Sequence, residues 1–244
     1  MKLMQFNIQH GAEFYHPEKK INLPLVASVI KQFDPDIVSL NEVRGKSNKE
    51  GAPDYTDQTE ELMLLTGMNG YFAPAINIRG KGLYGNAILT KFPILRSVDI
   101  PVPSPRDRYY NIHRYEDRCL LKAEIDVDGK EITVLSCHMG LNDDERVSAV
   151  VTICSELEKI LTPVILMGDF NMAPDNTILD PIKTRLHDTC LGFACEKLHS
   201  FPTDKPQDKI DYIFVSENFE VTRAEIHGTS SSDHLPLTAD IRFK

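Results

Sequence analysis

Val164-Ile165-Leu166-Met167-Gly168-Asp169-Phe170-Asn171 is an apolar run that stops abruptly at an acid, an aromatic ring and an amide. Its first four residues read as a buried strand, and Gly168 permits a break in the backbone just before the polar pair. If extended geometry persists for two more residues, its period of two turns Asp169 and Asn171 to one side and Phe170 back into the core. Ionised Asp only accepts hydrogen bonds whereas Asn also donates, so the pair suits the holding of a water or a phosphate oxygen. A plain strand-to-turn junction is the alternative, because Gly, Asp and Asn are common turn residues. What favours the chemical reading is that four other apolar strands also finish in acids, amides or histidines.

Upstream, Lys2 to Ile8 alternates as a strand, with Met4, Phe6 and Ile8 on one face and Gln5 and Asn7 on the other. Val26, Val29, Ile30 and Phe33 follow at helical spacing, with Asn22 or a neighbour as cap, Pro24 in the first turn and Asp34-Pro35-Asp36 as the stop. Ile37-Val38-Ser39-Leu40 forms the next strand and delivers Asn41 and Glu42 at its end. Asp57 to Glu60 resembles a capping box and opens a helix through Leu65 that Gly67 ends. Strands are predicted over 71–78 and 86–89, joined by tight-turn material at 79–82, and again over 118–127 and 131–137 about an Asp128-Gly129 hairpin.

Asn142 to Leu161 is the best helical pattern, with Val147, Val150, Val151, Cys154, Leu157, Ile160 and Leu161 on one face and Asn142, Asp143 and Asp144 at its start. Beyond the opening stretch, strands are predicted at 210–215 and 235–243. Hairpins outnumber crossover helices in this order. The fold class is therefore α/β with α+β character, as mixed sheets packed face to face with helices on the outer sides.

A chain of 244 residues and 27.6 kDa is long enough to bury a sizeable core, and no linker or repeat divides it, so one domain over 1–244 is expected. Net charge of −9 repels polyanions as a whole-protein field, which disfavours indiscriminate coating of nucleic acid. Five cysteines without a CxxC spacing fit free thiols in a reducing compartment. The N-terminus turns polar too soon for a signal-peptide core and no run reaches membrane-spanning length, so a cytoplasmic protein without a transmembrane segment is expected.

The polar residues at strand ends are Asn7, Glu42, His138, Asp169, Asn171, Asp211 and the adjacent pair Asp233-His234. Glu42 and Asp233 are hard oxygen donors of the kind Mg²⁺ takes in ones and twos, with Mn²⁺ as a substitute. Asp169 suits the orienting or deprotonation of a water, with Asn171 and Asn7 placing it or gripping phosphoryl oxygens. His138 and His234 suit stabilisation of a transition state at phosphorus, and Asp211 suits fixing a histidine tautomer. No third histidine or cysteine joins them, which speaks against zinc. Each residue taken singly also has a structural explanation.

Seven stretches together, 4–8, 36–43, 85–89, 136–141, 168–171, 209–214 and 232–236, resemble the endonuclease/exonuclease/phosphatase superfamily, in family order. The resemblance implies a four-layer sandwich of the DNase I-like kind, with an active site at one edge. It also implies Glu42 and Asp233 as magnesium ligands, Asp169 and Asn171 as the water and phosphate pair, Asp211 as partner of His234, and His138 as a phosphate-stabilising or leaving-group residue. Asn7, Asn86 and Arg118 fall on the substrate side, and either Asp169 or His234 removes the proton from water. Many family members carry Gln where this chain has Asn41. Gln9-His10-Gly11 follows Asn7, with His10 a further contact or a turn residue.

The activity implied is hydrolysis of a phosphodiester or phosphomonoester. Net charge favours a small phosphorylated metabolite or phospholipid headgroup over long DNA; a DNA or RNA nuclease and a non-catalytic binding module are the alternatives. The insert 101–117, with Arg106, Arg108 and Arg114 among Tyr109, Tyr110 and Tyr115, is the candidate specificity loop, with a plain mobile surface loop as the alternative.

Overall fold

The computed structural model describes residues 1–46, 57–78, 82–106 and 115–244. Among them the strands are β1 (Lys2–Asn7), β2 (Ile37–Arg44), β3 (Asn69–Ile78), β4 (Gly82–Thr90), β5 (Ile94–Val102), β6 (Arg118–Val127), β7 (Lys130–His138) and β8 (Val164–Asp169). They continue with β9 (His187–Asp188), β10 (Asp211–Val215), β11 (Phe219–Ile226) and β12 (Leu237–Phe243). The helices are α1 (Leu23–Phe33), α2 (Gln58–Thr66), α3 (Asp143–Leu157) and α4 (Asp180–Lys183). Two mixed sheets of 6 strands result, ordered β11-β12-β1-β2-β4-β3 and β5-β6-β7-β8-β10-β9.

Three apolar cores separate four layers. Met4, Phe6 and Ile8 pack outward from the first sheet against Val26 and Ile30 of α1 and Leu62 of α2. Leu166, Phe170, Tyr212 and Phe214 pack outward from the second against Ala149, Val150 and Ile153 of α3. Leu3, Ile37, Ile88, Val134, Ile165 and Ile213 fill the space between the sheets. Both faces of β1 are consequently buried, including Gln5 and Asn7 at 0% exposure. The face expected to be the polar side of β1 is the inner one.

That inner face grades from hydrocarbon to charge along each strand. On β1 the residues run Leu3, Gln5, Asn7; on β2, Ile37, Ser39, Asn41; on β7, Val134, Ser136, His138; on β8, Ile165, Met167, Asp169. Bonds across the gap mark the transition, with Ser39 Oγ 2.7 Å from Ser136 Oγ and Gln5 Nε2 donating to Asp211 Oδ1 at 3.2 Å. Ser39, Ser136 and Asp211 are thereby paired across the gap, as a closed sandwich requires of most of its buried polar groups.

The caps of α1 and α2 fall where the sequence suggests them. Asn22 Oδ1 accepts from Leu25 N–H and Asp57 Oδ1 from Thr59 and Glu60, while Gly67 closes α2 in the left-handed conformation. Helix α3 departs from expectation. It ends at Leu157, and Val147, Val151 and Leu161 are 47%, 63% and 99% exposed, because the buried stripe is rotated toward Ala149 and Ile153. Small Ala149 lets the helix sit close to the sheet. Buried Glu145 closes its capping box, accepting from Asn142 N–H and from Glu116 N–H of the neighbouring segment.

Three strands, β5, β9 and β11, had no counterpart in the sequence reading. Strand β5 is an edge strand with an exposed, irregular pattern, β9 has 2 residues, and β11 breaks register between Val221 and Arg223. The turn residues 79–81 and Arg108, Tyr109, Tyr110 and Arg114 of the insert lie outside the described residues. All five cysteines are free; four are buried and Cys154 is half-buried. Among the described residues no helix is long and apolar enough to cross a membrane.

Candidate active site

Parallel pairing of β1 with β2 and of β7 with β8 brings Asn7 beside Asn41 and His138 beside Asp169. Strand β10 runs antiparallel to β8, so its first residue, Asp211, meets the last residue of β8, Asp169. The polar end of the sandwich is thus built from ends of parallel strands and a beginning of an antiparallel one.

Asn7 sits at the focus. Its Nδ2 donates to Glu42 Oε1 at 3.2 Å and to Asp169 Oδ2 at 3.0 Å, and lies 3.5 Å from His234 Nε2. Asp169 Oδ2 is also 3.6 Å from both His138 Nε2 and His234 Nε2. On its far side, His234 Nδ1 donates to Asp211 Oδ2 at 2.8 Å, an oxygen that also accepts from Ser200 Oγ at 2.7 Å. Phe201 covers the ring of His234 with centroids 4.7 Å apart.

Glu42 lies inside β2 rather than at its end. A bulge between Leu40 and Val43 inserts a residue relative to β4, and Glu42 takes φ of 60°. Bulges re-aim a side chain. Without this one, alternation from inward-facing Asn41 would send Glu42 outward. Asp233 approaches from the opposite end of the chain, accepting from Gln9 Nε2 at 2.6 Å and Ser232 Oγ at 3.3 Å.

The backbone also turns at Asn171 instead of continuing extended. Strand β8 ends at Asp169, and Asn171 adopts φ of 51°, placing its N–H 2.9 Å from Asp169 Oδ1 and its side-chain amide on Met139 O. An Asx-type turn therefore replaces the expected same-face pair, since Asn tolerates the left-handed region. Gly168 serves close approach, not a break: a Cβ there would stand 2.1 Å from Cys137 O.

Asn86, expected on the substrate side, is 2% exposed, and its amide is used within the protein. It accepts from Asn41 Nδ2 at 2.9 Å and donates to Cys119 O at 3.0 Å. Arg118 does reach the site, sharing a small cleft with His138, Asn86 and Tyr84, and its buried Nε has no hydrogen-bond partner among the described residues. His10 occupies a one-turn 3₁₀ helix with φ of 47°, its Nδ1 4.0 Å from Glu42 Oε2.

Electrostatics follow from burial. Burial pushes the Asp169 carboxyl up, against the pull of His234, to about 7. Burial opposes charge on His234, but Asp211 and then Asp169 outweigh it and raise the imidazole to about 10. His138 is driven well below 6.5 by burial and by the positive charges of Arg118 and His234, so it is neutral. Asp233 is raised by burial, with His234 pulling down and the like charge of Glu42 pushing up.

Asp169, Asp211 and His234 place candidate ligand atoms within 4.8 Å of one another. The two carboxylates already accept hydrogen bonds from Asn7, Asn171, Ser200 and His234, however, and all three residues are buried. Glu42 and Asp233 offer the better cation donors. They are partly exposed, oxygen-only and mutually repulsive, which is the donor chemistry a hard divalent ion relieves.

Gln5, Gln9, Ser200, Ser232 and Tyr84 were not singled out from sequence. Gln5, Gln9 and Ser232 flank residues that were, and their proximity to Asn7 and Asp233 was the available signal. Ser200 comes from a loop with no pattern, and Tyr84, hydrogen-bonded to Glu42, reads as an ordinary strand aromatic.

The sequence profile of the Endonuclease/Exonuclease/phosphatase family matches residues 4–234. The chain belongs to this family. Membership places it among phosphoester-hydrolysing enzymes, which generally depend on a divalent metal. Among solved structures, an endonuclease/exonuclease/phosphatase from Beutenbergia cavernae shares 23% identity at a TM-score of 0.83, over 99% of this chain and 71% of that one. The mannosyl-6-phosphatase Bt3783 of Bacteroides thetaiotaomicron shares 18% at 0.77, over the whole of both chains. The human Nocturnin catalytic domain, with a bound sulfate anion, shares 21% at 0.76 over 100% of this chain and 93% of that one. These likenesses establish the DNase I-like sandwich fold. No curated protein sequence gives a significant match.

Proposed function

We propose that this enzyme hydrolyses a small phosphorylated metabolite or a phospholipid headgroup, using Mg²⁺ held by Glu42 and Asp233. The observation that carries the reading is the convergence of Asn7, His138 and His234 on one carboxylate oxygen, Asp169 Oδ2. When bound, the ion supplies positive charge against phosphoryl oxygens. The remaining work belongs to the protein.

Asp169 Oδ1 is tied down by Asn171 N–H, which leaves Oδ2 as the oxygen that takes the proton from an attacking water. His234 is the weaker candidate for that role, because an imidazole raised to about 10 is already protonated at neutral pH. As an imidazolium held by Asp211 it instead donates to the charge that grows at phosphorus. Neutral His138 and Arg118 face the same space and receive phosphoryl or leaving-group oxygens. Water oxygen bonds to phosphorus as its proton passes to Asp169, the P–O bond to the alcohol breaks, and the departing alkoxide takes its proton from the His234 imidazolium or from solvent.

The preference for small substrates over duplex nucleic acid is supported by the net charge of −9. Bt3783, of the same fold, is a mannosyl-6-phosphatase, which makes sugar phosphates the first class to try. The test is a panel of phosphomonoesters, phosphodiesters, lipid headgroups and supercoiled plasmid with Mg²⁺ or Mn²⁺, with Asp169→Ala as control. Ion-dependent release of phosphate or headgroup, abolished in the control, is the expected result. Nicking of plasmid in preference to every small ester would overturn the substrate class.

A further inference from the structure

The left-handed turn after β1 holds Gln9 in an arrangement that nothing in the reading above uses. Gln9 Nε2 donates to Asp233 Oδ2 at 2.6 Å, across 224 residues of sequence. Gln9 backbone N–H donates to Asn7 Oδ1 at 3.1 Å. The second bond fixes which way the Asn7 amide faces, so that Nδ2 turns to Glu42 Oε1 and Asp169 Oδ2. One residue therefore orients Asp233 through its side chain and Glu42 through Asn7.

We propose that Gln9 is a positioning residue that sets the spacing of the two carboxylate arms of the cation site; the inference rests on Glu42 and Asp233 being those arms. The amide has one usable orientation, because its flip would set Oε1 against the Asp233 carboxylate. The fold accepts costs to keep it there. Gln9 Oε1 is buried with no hydrogen-bond partner among the described residues, and Gln9 and His10 take φ of 45° and 47°, a region non-glycine residues avoid. The turn is anchored from outside by Gln58 Nε2, which donates to His10 O at 2.8 Å.

A neutral donor suits this place. It donates to Asp233 without adding a third negative charge, and leaves the remaining lone pairs of both carboxylates open toward the ion. Gln9 touches neither water nor phosphorus in this role.

The test measures Mn²⁺ binding by electron paramagnetic resonance, together with the Mn²⁺ dependence of turnover, for wild type, Gln9→Met, Gln9→Ala and Glu42→Gln. Gln9→Met keeps the length of the side chain and removes the donor. Both Gln9 variants are expected to bind Mn²⁺ about 10-fold or more weakly, as for other residues that orient metal ligands, while kcat at saturating Mn²⁺ stays near wild type. Their ion-free melting temperature is expected to be unchanged or higher, since an unpaired acceptor is removed. Wild-type Mn²⁺ affinity in Gln9→Met, or a fall in melting temperature with affinity retained, overturns the positioning role. If wild type binds no Mn²⁺, or Glu42→Gln binds it undiminished, the cation reading fails and this inference with it.

Discussion

Replacing Asp211 with Asn tests the relay where its geometry is tightest. The carboxylate accepts through Oδ2 from His234 and Ser200 and through Oδ1 from Gln5 Nε2. An amide has only one oxygen, so turning it toward His234 leaves an NH₂ facing the NH₂ of Gln5. The imidazole of His234 is raised from 6.5 to about 10, and Asp211 is the largest of the charges that raise it, ahead of Asp169. Losing the carboxylate that orients and charges this histidine is expected to lower turnover by roughly 10²-fold or more.

The assay is kcat on bis-p-nitrophenyl phosphate or on whichever ester the substrate panel identifies, at saturating Mg²⁺, with Mn²⁺ affinity measured alongside. Metal affinity and fold are expected to survive, because Asp211 touches neither Glu42 nor Asp233. Turnover within a few-fold of wild type, with the pH profile unmoved, would refute the argument that Asp211 holds His234 as a cation.

Asp169→Asn is expected to stabilise the ion-free protein at pH 8 and not at pH 4. A carboxyl raised from 3.8 to about 7 in the fold favours the native state only while protonated, so its cost appears as pH rises through that window; melting curves at the two pH values check it. Asn41→Ala should destabilise by ~4 kcal/mol or more, because Gln5 Nε2, Asp169 N–H, Asn86 Oδ1 and Cys137 O each lose a buried partner at about 1 kcal/mol or more apiece. Urea denaturation at fixed Mg²⁺ measures the loss. Gly168→Ala should leave little folded protein, since the added methyl meets Cys137 O at 2.1 Å and Sγ at 2.8 Å, both on the neighbouring strand; a soluble variant with a wild-type melting temperature would contradict it. Chelation with EDTA should abolish activity, with Mg²⁺ or Mn²⁺ restoring it.

Strand termini carried most of the site in readable form, because a hydrocarbon run that ends in a lone acid or imidazole is uncommon in a chain of ordinary composition. Asn7, Glu42, His138, Asp169, Asp211 and His234 were found that way, and the structure brings them together. Backbone conformation was less legible. Glu42 owes its direction to a bulge, and Asn171 owes its contact with Asp169 to a positive φ, neither of which follows from alternation of residue types.

Asn86 was harder to read for a different reason. Its amide and that of Asn41 bridge the two sheets, and sequence offers no means of telling a buried amide that serves other protein groups from one that faces a ligand. The missed strands lie where period-two patterning is weakest: an exposed edge, a pair of residues, and a strand interrupted in register.

The grading of the inner face from aliphatic residues to carboxylates divides the molecule's labour lengthwise. Cohesion resides where Leu3, Ile37, Val134 and Ile165 interlock, and reactivity resides a few residues away on the same strands. Thermal robustness could accordingly be tuned at the greasy pole with catalysis untouched, while new specificities are grafted on rim loops at the other. Such a layout lets one scaffold drift toward many esters without ever having to rebuild its foundations.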